Sequence, residues 1–295
     1  MIATSGNGPT LSPRELAKAL GVSESSVKRW VDAGRVPARR TSGGHRRIEL
    51  TSALKFLRDS GRKLANPGIL GLAEGPEGLN SDGAALVDRV YQLLEGGETE
   101  ELTRIVMMLL VARKTDPASL YDGPLREAMA RIGDLWQGGS DGIYEEHRAT
   151  QVLLQVLDQV DGLFEPTEDM PAAVGGAIDG DPSLLPVRMG ATVLASEGIR
   201  PVSLGADTPA PVFLEAAETV DAKLVWVSAS YVKDPVRQTT ELRALFNALQ
   251  ERGVRCILGG REAHRLELTY GERFILGSNM ADIVALAREV TGGKQ

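Results

Sequence analysis

Residues 39–48 read Arg39-Arg40-Thr41-Ser42-Gly43-Gly44-His45-Arg46-Arg47-Ile48. The Gly43-Gly44 pair is a turn signal between two cationic arms, so the stretch predicts a short basic hairpin. Upstream, Ser12-Pro13-Arg14-Glu15 starts a helix: Ser12 can cap, Pro13 suits the first turn, and Glu15 stands where a capping box needs it. Leu16, Ala17 and Leu20 form one apolar face. Gly21-Val22-Ser23 makes a tight turn, Ser23 can cap a second helix from Glu24 to Ala33, and Gly34 stops it. Two short helices joined in this way form a helix-turn-helix. In the second helix Val27, Trp30 and Val31 turn inward, which leaves Ser25, Ser26, Lys28 and Arg29 outward. Hydroxyls and cations at that place suit phosphate and base-edge contacts. A third helix follows, with apolar Leu50, Ala53, Leu54 and Leu57.

This order resembles the winged helix-turn-helix of the MerR family, and the segment Gly43-Gly44-His45-Arg46-Arg47-Ile48 is its most specific part. The resemblance implies that Arg39, Arg40, Thr41, His45, Arg46 and Arg47 lie near the backbone or minor groove of double-stranded operator DNA. His45 has an alternative place, packed in the hairpin; Trp30 is expected in the core. Charge agrees with the assignment. Residues 1–64 carry 13 Lys and Arg against 5 Asp and Glu, a net of +8, while the remainder carries 20 against 35, a net of −15. A basic head on an acidic body suits a polyanion at one end only, the alternative on charge alone being a solvated basic face. One such head makes few phosphate contacts, so a homo-oligomer, dimer or tetramer, is expected.

With 295 residues, 42% hydrophobic and 25% charged, the chain is long enough for two or three domains with real cores. No run of about 18 apolar residues predicts a membrane span, and the first ten residues lack a signal-peptide pattern. The single cysteine, Cys256, rules out an internal disulfide. These features predict a soluble, cytoplasmic protein with no membrane partner and no metal centre. Four segments follow: a head over 1–64, a Gly/Pro-rich linker over 65–83, a four-helix bundle over 84–165 and a strand–helix alternation over 172–295. The bundle helices are expected at Asp82–Glu95, Thr99–Lys114, Pro117–Leu135 and Gly142–Phe164. In the last segment, strands are expected at Ala172–Ala177, Arg200–Leu204, Lys223–Ser228, Arg255–Leu258 and Arg273–Leu276. Helices between them include Glu262–Leu268. Such alternation predicts a Rossmann-like, doubly wound parallel sheet, with ligands outside the carboxyl ends of its strands. The loops there contain Ser183, Gly205, Asp207, Thr208, Ser228, Ser230, Gly259 and Gly260, small residues that would let a large ligand approach the backbone.

In the bundle, Trp136 precedes Glu146-His147 by nine residues, with Gly138-Gly139 between, so an indole, a carboxylate and an imidazole can converge on one opening. A Trp at a helix end with a surface Glu/His pair is the bland alternative. The whole order, MerR-like head, bundle with Trp-x9-Glu-His and Rossmann-type tail, resembles the CarH/LitR group of cobalamin-binding, light-responsive repressors. The resemblance implies that Trp136, Glu146 and His147 cap the upper face of adenosylcobalamin, that Ser228, Gly259 and Gly260 belong to loops holding its nucleotide tail, and that light dissociates a DNA-bound tetramer. The chain departs from that group at the lower cobalt ligand. Where a His of a D/E-x-H-x-x-G motif is expected, the sequence is Asp181-Pro182-Ser183-Leu184-Leu185-Pro186. A neutral hydroxyl is a poor substitute for imidazole at cobalt. Gln137 replaces a further ligating His found in light-switched relatives. Three cofactor readings stay open here: cobalamin without a protein ligand from below, another tetrapyrrole such as a bilin, or none. The functional alternatives are a ligand-independent repressor and a corrinoid carrier of a methyltransferase system. No enzyme is expected, since no Ser/His/Asp order, P-loop or H-E-x-x-H is present.

Overall fold

The computed structural model describes residues 9–72, 83–111, 115–135 and 140–293. The head contains β1 (Thr10–Leu11), α1 (Pro13–Leu20), α2 (Glu24–Asp32), β2 (Arg39–Arg40), β3 (Arg46–Glu49) and α3 (Leu50–Ser60). The capping box at α1 is complete: Ser12 Oγ accepts from Glu15 N at 3.2 Å and Glu15 Oε2 accepts from Ser12 N at 2.7 Å. The Ser12 backbone N–H, and after it the Ser12 hydroxyl, hydrogen-bond the Glu15 carboxyl and hold it below its usual range. The three strands form one antiparallel sheet in the order β1-β3-β2. Beyond α3 the chain stays on the head. Ala65 N and Asn66 N donate to Ala19 O, and Leu70 and Leu72 are buried. The first part of the Gly/Pro-rich stretch is therefore docked on α1.

The bundle consists of α4 (Gly83–Gly96), α5 (Thr99–Val111), the short α6 (Pro117–Leu120), α7 (Arg126–Leu135) and α8 (Ser140–Asp161). One continuous helix over Pro117–Leu135 does not form. A π-type turn, Tyr121–Leu125, separates α6 from α7, with Gly123 at φ −93°, ψ −105°. Pro124 is the cause: it lacks an N–H and its ring clashes with the carbonyl one turn back. The kink directs the Asp122 carboxylate to the last helix of the chain, where it accepts from Met280 N at 2.9 Å and Ala281 N at 3.2 Å.

The last segment contains β4 (Ala172–Ile178), α9 (Leu185–Ser196), β5 (Arg200–Thr208), α10 (Ala210–Thr219), β6 (Leu224–Ser228), α11 (Pro235–Glu251), β7 (Arg255–Gly259), β8 (Phe274–Leu276) and α12 (Met280–Thr291). Its sheet is fully parallel in the order β5-β4-β6-β7-β8, the doubly wound arrangement expected from the alternation. Ala173, Ala177, Trp226 and Ile257 face α9, α12 and the bundle, in one core continuous with the head. Val174, Ile178, Val225 and Val227 face α10 and α11 in a second core. Two expected boundaries change. Strand β5 runs on to Thr208, because Gly205 (φ 83°) and Asp207 (φ 51°) take up register shifts and return the strand to β4 at Ile178↔Thr208. The helix expected over Glu262–Leu268 is a single 3-10 turn, Ala263–Arg265; the buried Ala263 and Leu266, three apart, suit that tighter turn.

Candidate nucleic-acid interface and ligand cleft

Ser23 opens α2, accepting from Ser26 N at 3.3 Å, and its hydroxyl lies 2.9 and 3.0 Å from those of Ser25 and Ser26. Ser25, Lys28 and Arg29 are exposed and Ser26 is half-buried, while Val27 and Trp30 are buried. Lys28 pairs with Glu24 at 2.8 Å on the surface, where solvent screening leaves such a contact weak. The wing pairs Arg39 with Arg47 and Arg40 with Arg46. Its tip closes through Gly44 N to Thr41 O at 2.8 Å, Thr41 N to His45 O at 2.9 Å and His45 N to Thr41 Oγ1 at 3.2 Å. Thr41 is thus a turn-builder as well as a surface hydroxyl. The exposed His45 ring lies over the turn, since a Cβ on Gly43 would stand 3.5 Å from its Cδ2.

The four wing arginines divide by their contacts. Ile48 is fully buried, and Arg46, on the same face, reaches back to Asp32 at the end of α2 at 2.6 Å. Arg46 therefore fixes the wing against the recognition helix instead of standing free for a phosphate. On the other face Arg39 pairs with Glu49 at 3.0 Å. Arg40 and Arg47 are exposed.

The bundle candidates divide too. Trp136, with Gln137, lies outside the described residues. Glu146 and His147 sit on α8, with Nε2 and Oε2 3.6 Å apart, and Thr150 Oγ1 donates to Glu146 at 3.3 Å. The His147 side chain is 74% exposed, beside exposed Ile143 and Tyr144. Among the described residues, the pair lies on the surface of α8, on a partly apolar helix face.

At the carboxyl edge of the sheet, the small residues serve the chain's own packing. A Cβ on Gly260 would lie 2.5–2.6 Å from the backbone of Ala229, whose N donates to Gly259 O at 2.8 Å. The loops after β6 and β7 are thereby fastened to each other. Asp181 is fully buried. It accepts from Ser183 N at 2.9 Å and Ser230 N at 2.6 Å, its carbonyl accepts from Asp207 N at 2.9 Å, and Asp207 Oδ1 accepts from Gly180 N at 2.6 Å. Ser228 Oγ and Ser230 Oγ are 3.4 Å apart, and Thr208 Oγ1 turns to backbone carbonyls at 3.4–3.5 Å. Ser183, Asp207, Thr208, Ser228, Ser230, Gly259 and Gly260 thus lie together on a cross-braced rim at the carboxyl edge of the sheet, with Asp207 and Gly260 exposed. The sequence offers no direct signal for Asp181 as the centre of that rim, because its partners are two backbone amides from distant loops.

Residues 10–59 match the family described as "Helix-turn-helix domain", and residues 86–160 match "B12 binding domain". The chain couples a helix-turn-helix domain to a B12-binding-type body. Dimethylamine corrinoid protein 1 of Methanosarcina mazei is 25% identical over 189 residues, covering 61% of this chain and 84% of that protein. Dimethylamine corrinoid protein 2 of Methanosarcina acetivorans is 22% identical over 182 residues, with coverage of 61% and 84%. Among solved structures, the monomethylamine corrinoid protein of Methanosarcina barkeri superposes with a TM-score of 0.51 at 18% identity, over 71% of this chain and all of that one. That likeness establishes the bundle-plus-sheet fold.

The residues of this body do not fit cobalamin held from below by a protein imidazole. Position 183 is Ser, the three histidines of the chain are His45, His147 and His264, and His264 Nδ1 lies 3.1 Å from Arg261 O in its own turn. The Asp181 carboxylate, two residues before Ser183, already spends both oxygens on backbone amides. Covalent capture of a bilin by Cys256 is likewise unfavourable: the thiol is buried in β7 and burial pushes its pKa up to about 12.

Proposed function

We propose that this protein is a DNA-binding transcription regulator of the MerR/CarH type, acting as a repressor, in which the bundle and sheet govern how many heads assemble on an operator. The observation that carries the proposal is the pairing, within one module, of an exposed α2 surface (Ser25, Lys28, Arg29) with a hairpin exposing Arg40 and Arg47. A helix of that kind enters a major groove while the wing follows the backbone. The acidic body favours the same orientation, since it repels DNA everywhere except at the head.

Besides the packing of α3 on α5, three side-chain contacts tie the head to the chain just past the end of α8. Arg58 of α3 donates to Leu163 O at 2.5 Å and stacks over Phe164 at 4.4 Å, and Lys55 pairs with Glu165 at 3.0 Å. Just before that point, Asp158 and Asp161 of α8 hold Arg188 of α9 at 2.8 and 2.7 Å, and Thr192 donates to Asp161 at 2.7 Å. Residues 158–165 are therefore the joint of head, bundle and sheet. A change in bundle packing would reach the head there.

The corrinoid carrier is the second reading, favoured by the likeness to dimethylamine corrinoid proteins. It lacks a use for the head and for Ser183. Fluorescence anisotropy on a pool of duplexes, followed by selection, separates the two. Saturable binding with one sequence enriched supports the regulator. Binding no tighter than that of an acidic control protein in dilute buffer overturns it.

A further inference from the structure

Trp226 is the register partner of Gly175 across β6 and β4, in the middle of the two strands between which the strand order reverses; a doubly wound sheet takes its ligand beyond the carboxyl ends of that pair. Its side chain is 3% exposed and lies on the bundle side of the sheet, beneath α9. Two glycines make room for it. A Cβ on Gly175 would fall 2.0–2.2 Å from Cδ2 and Cε2, and a Cβ on Gly190 of α9 would fall 3.1 Å from Cδ1 and Nε1. Strand and helix thus form a slot one aromatic ring system thick. Indole is a fused five- and six-membered bicycle, and so is the benzimidazole that ends the nucleotide tail of cobalamin. Nε1 has no hydrogen-bond partner among the described residues and points at α9, not at open space.

We propose that Trp226 occupies, as a resident side chain, the layer between β4, β6 and α9 that a corrinoid's nucleotide tail would need, so that this sheet keeps a ligand-filled packing with no tailed corrinoid bound. Asp181 completes the arrangement. Its bonds to Ser183 N and Ser230 N tie together the loops at the carboxyl ends of β4 and β6. The sheet's own atoms stand where the ligand would supply both floor filling and loop bracing. Whatever changes the assembly of this protein then acts elsewhere than through insertion of a tail between strand and helix.

Cavity rescue tests the proposal. Trp226→Ala empties the slot, and an apolar cavity of ring size takes up a free aromatic of matching shape. With a folded variant, 5,6-dimethylbenzimidazole at millimolar concentration is expected to raise its melting temperature by several degrees while leaving the wild type unmoved. A folded variant that the bicycle does not stabilise overturns the proposal. Should Trp226→Ala fail to fold, Ser183→His decides, since it restores an imidazole on a half-buried loop and leaves Trp226 in place. Incubated with hydroxocobalamin and dialysed, it is expected to retain no cobalamin with a base-off, histidine-ligated spectrum. Retention of such a spectrum would show that the tail enters despite the indole. Both arms are read without DNA, so their outcome is distinct from the success or failure of the regulator reading.

Discussion

At the residue scale, the wing's cations have different tasks despite one chemistry. Arg47 is exposed on the outer face, and Arg46 is clamped to Asp32 with only 24% of its side chain exposed. Arg47→Ala is therefore expected to weaken binding to all duplexes alike and to reduce the slope of log K against log salt by about 1. Arg46→Ala and Asp32→Ala are expected to weaken binding by misplacing the wing. Their double variant should be no worse than Arg46→Ala alone, with a coupling of about 0.5–1 kcal/mol for this partly exposed pair. Anisotropy titrations at four salt concentrations measure both effects; additive losses for Arg46 and Asp32 would remove the positioning role. Cys256 gives a second test. With its thiol pushed up to about 12 by burial, it stays protonated near neutrality. It should resist thiol reagents at pH 8 in the native protein and react fully in denaturant. The sign for stability follows from linkage. The unfolded thiol ionises near its ordinary value of 9.0 and the folded one does not, so this residue lowers stability as pH rises from about 9 toward 12. A Cys256→Ala variant should lose that alkaline decline, as read by urea melts between pH 8 and 11.

At the element scale, the junction of bundle and sheet rests on a helix terminus. Asn279 and Asp282 already cap α12 reciprocally, and Asp122 of the π-type turn adds a carboxylate to the amides of Met280 and Ala281. Bonds of a carboxylate to first-turn amides contribute on the order of 1–2 kcal/mol. Asp122→Ala should cost about that much in a thermal melt and speed hydrogen exchange at Met280 and Ala281, with Asp122→Asn between. Equal exchange in wild type and variant would place the docking energy in the apolar core alone. This contact also shows what the chain makes legible. The caps of α1 and α2, the parallel strands and the helix faces depend on neighbours three or four positions away, and each can be read from Ser12, Ser23 or a Val/Ile run. The break at Pro124 carries a local signal too, yet its consequence, a carboxylate turned toward residue 280, is set only by tertiary packing. The same holds for the cleft. Loops rich in Gly and Ser suggest an open ligand rim, but Gly175 and Gly190 are small because an indole lies between them, and Gly260 because Ala229 does. A small residue in sequence does not say whether the space beside it belongs to a ligand or to another part of the chain.

At the scale of the whole molecule, a head of net +8 and a body of net −15 make the orientation on DNA a property of the charge distribution. Orientation becomes spacing once heads are paired. With Arg58 and Lys55 anchoring α3 to residues 163–165, the head has little freedom about the body. Two heads on one oligomer would then present their α2 surfaces at a fixed separation, near a whole number of helical turns of about 10 base pairs. Shifting one half-site by about five base pairs rotates it to the far side of the duplex. The wild type should lose at least tenfold in affinity on such a site, whereas Arg58→Ala, which frees the carbonyl of Leu163 and the ring of Phe164, should bind both spacings within a few-fold of each other. Analytical ultracentrifugation alongside the titrations fixes the number of copies on each duplex. Identical spacing dependence for wild type and Arg58→Ala, at equal stoichiometry, would mean that the contacts at residues 163–165 do not set where the heads point.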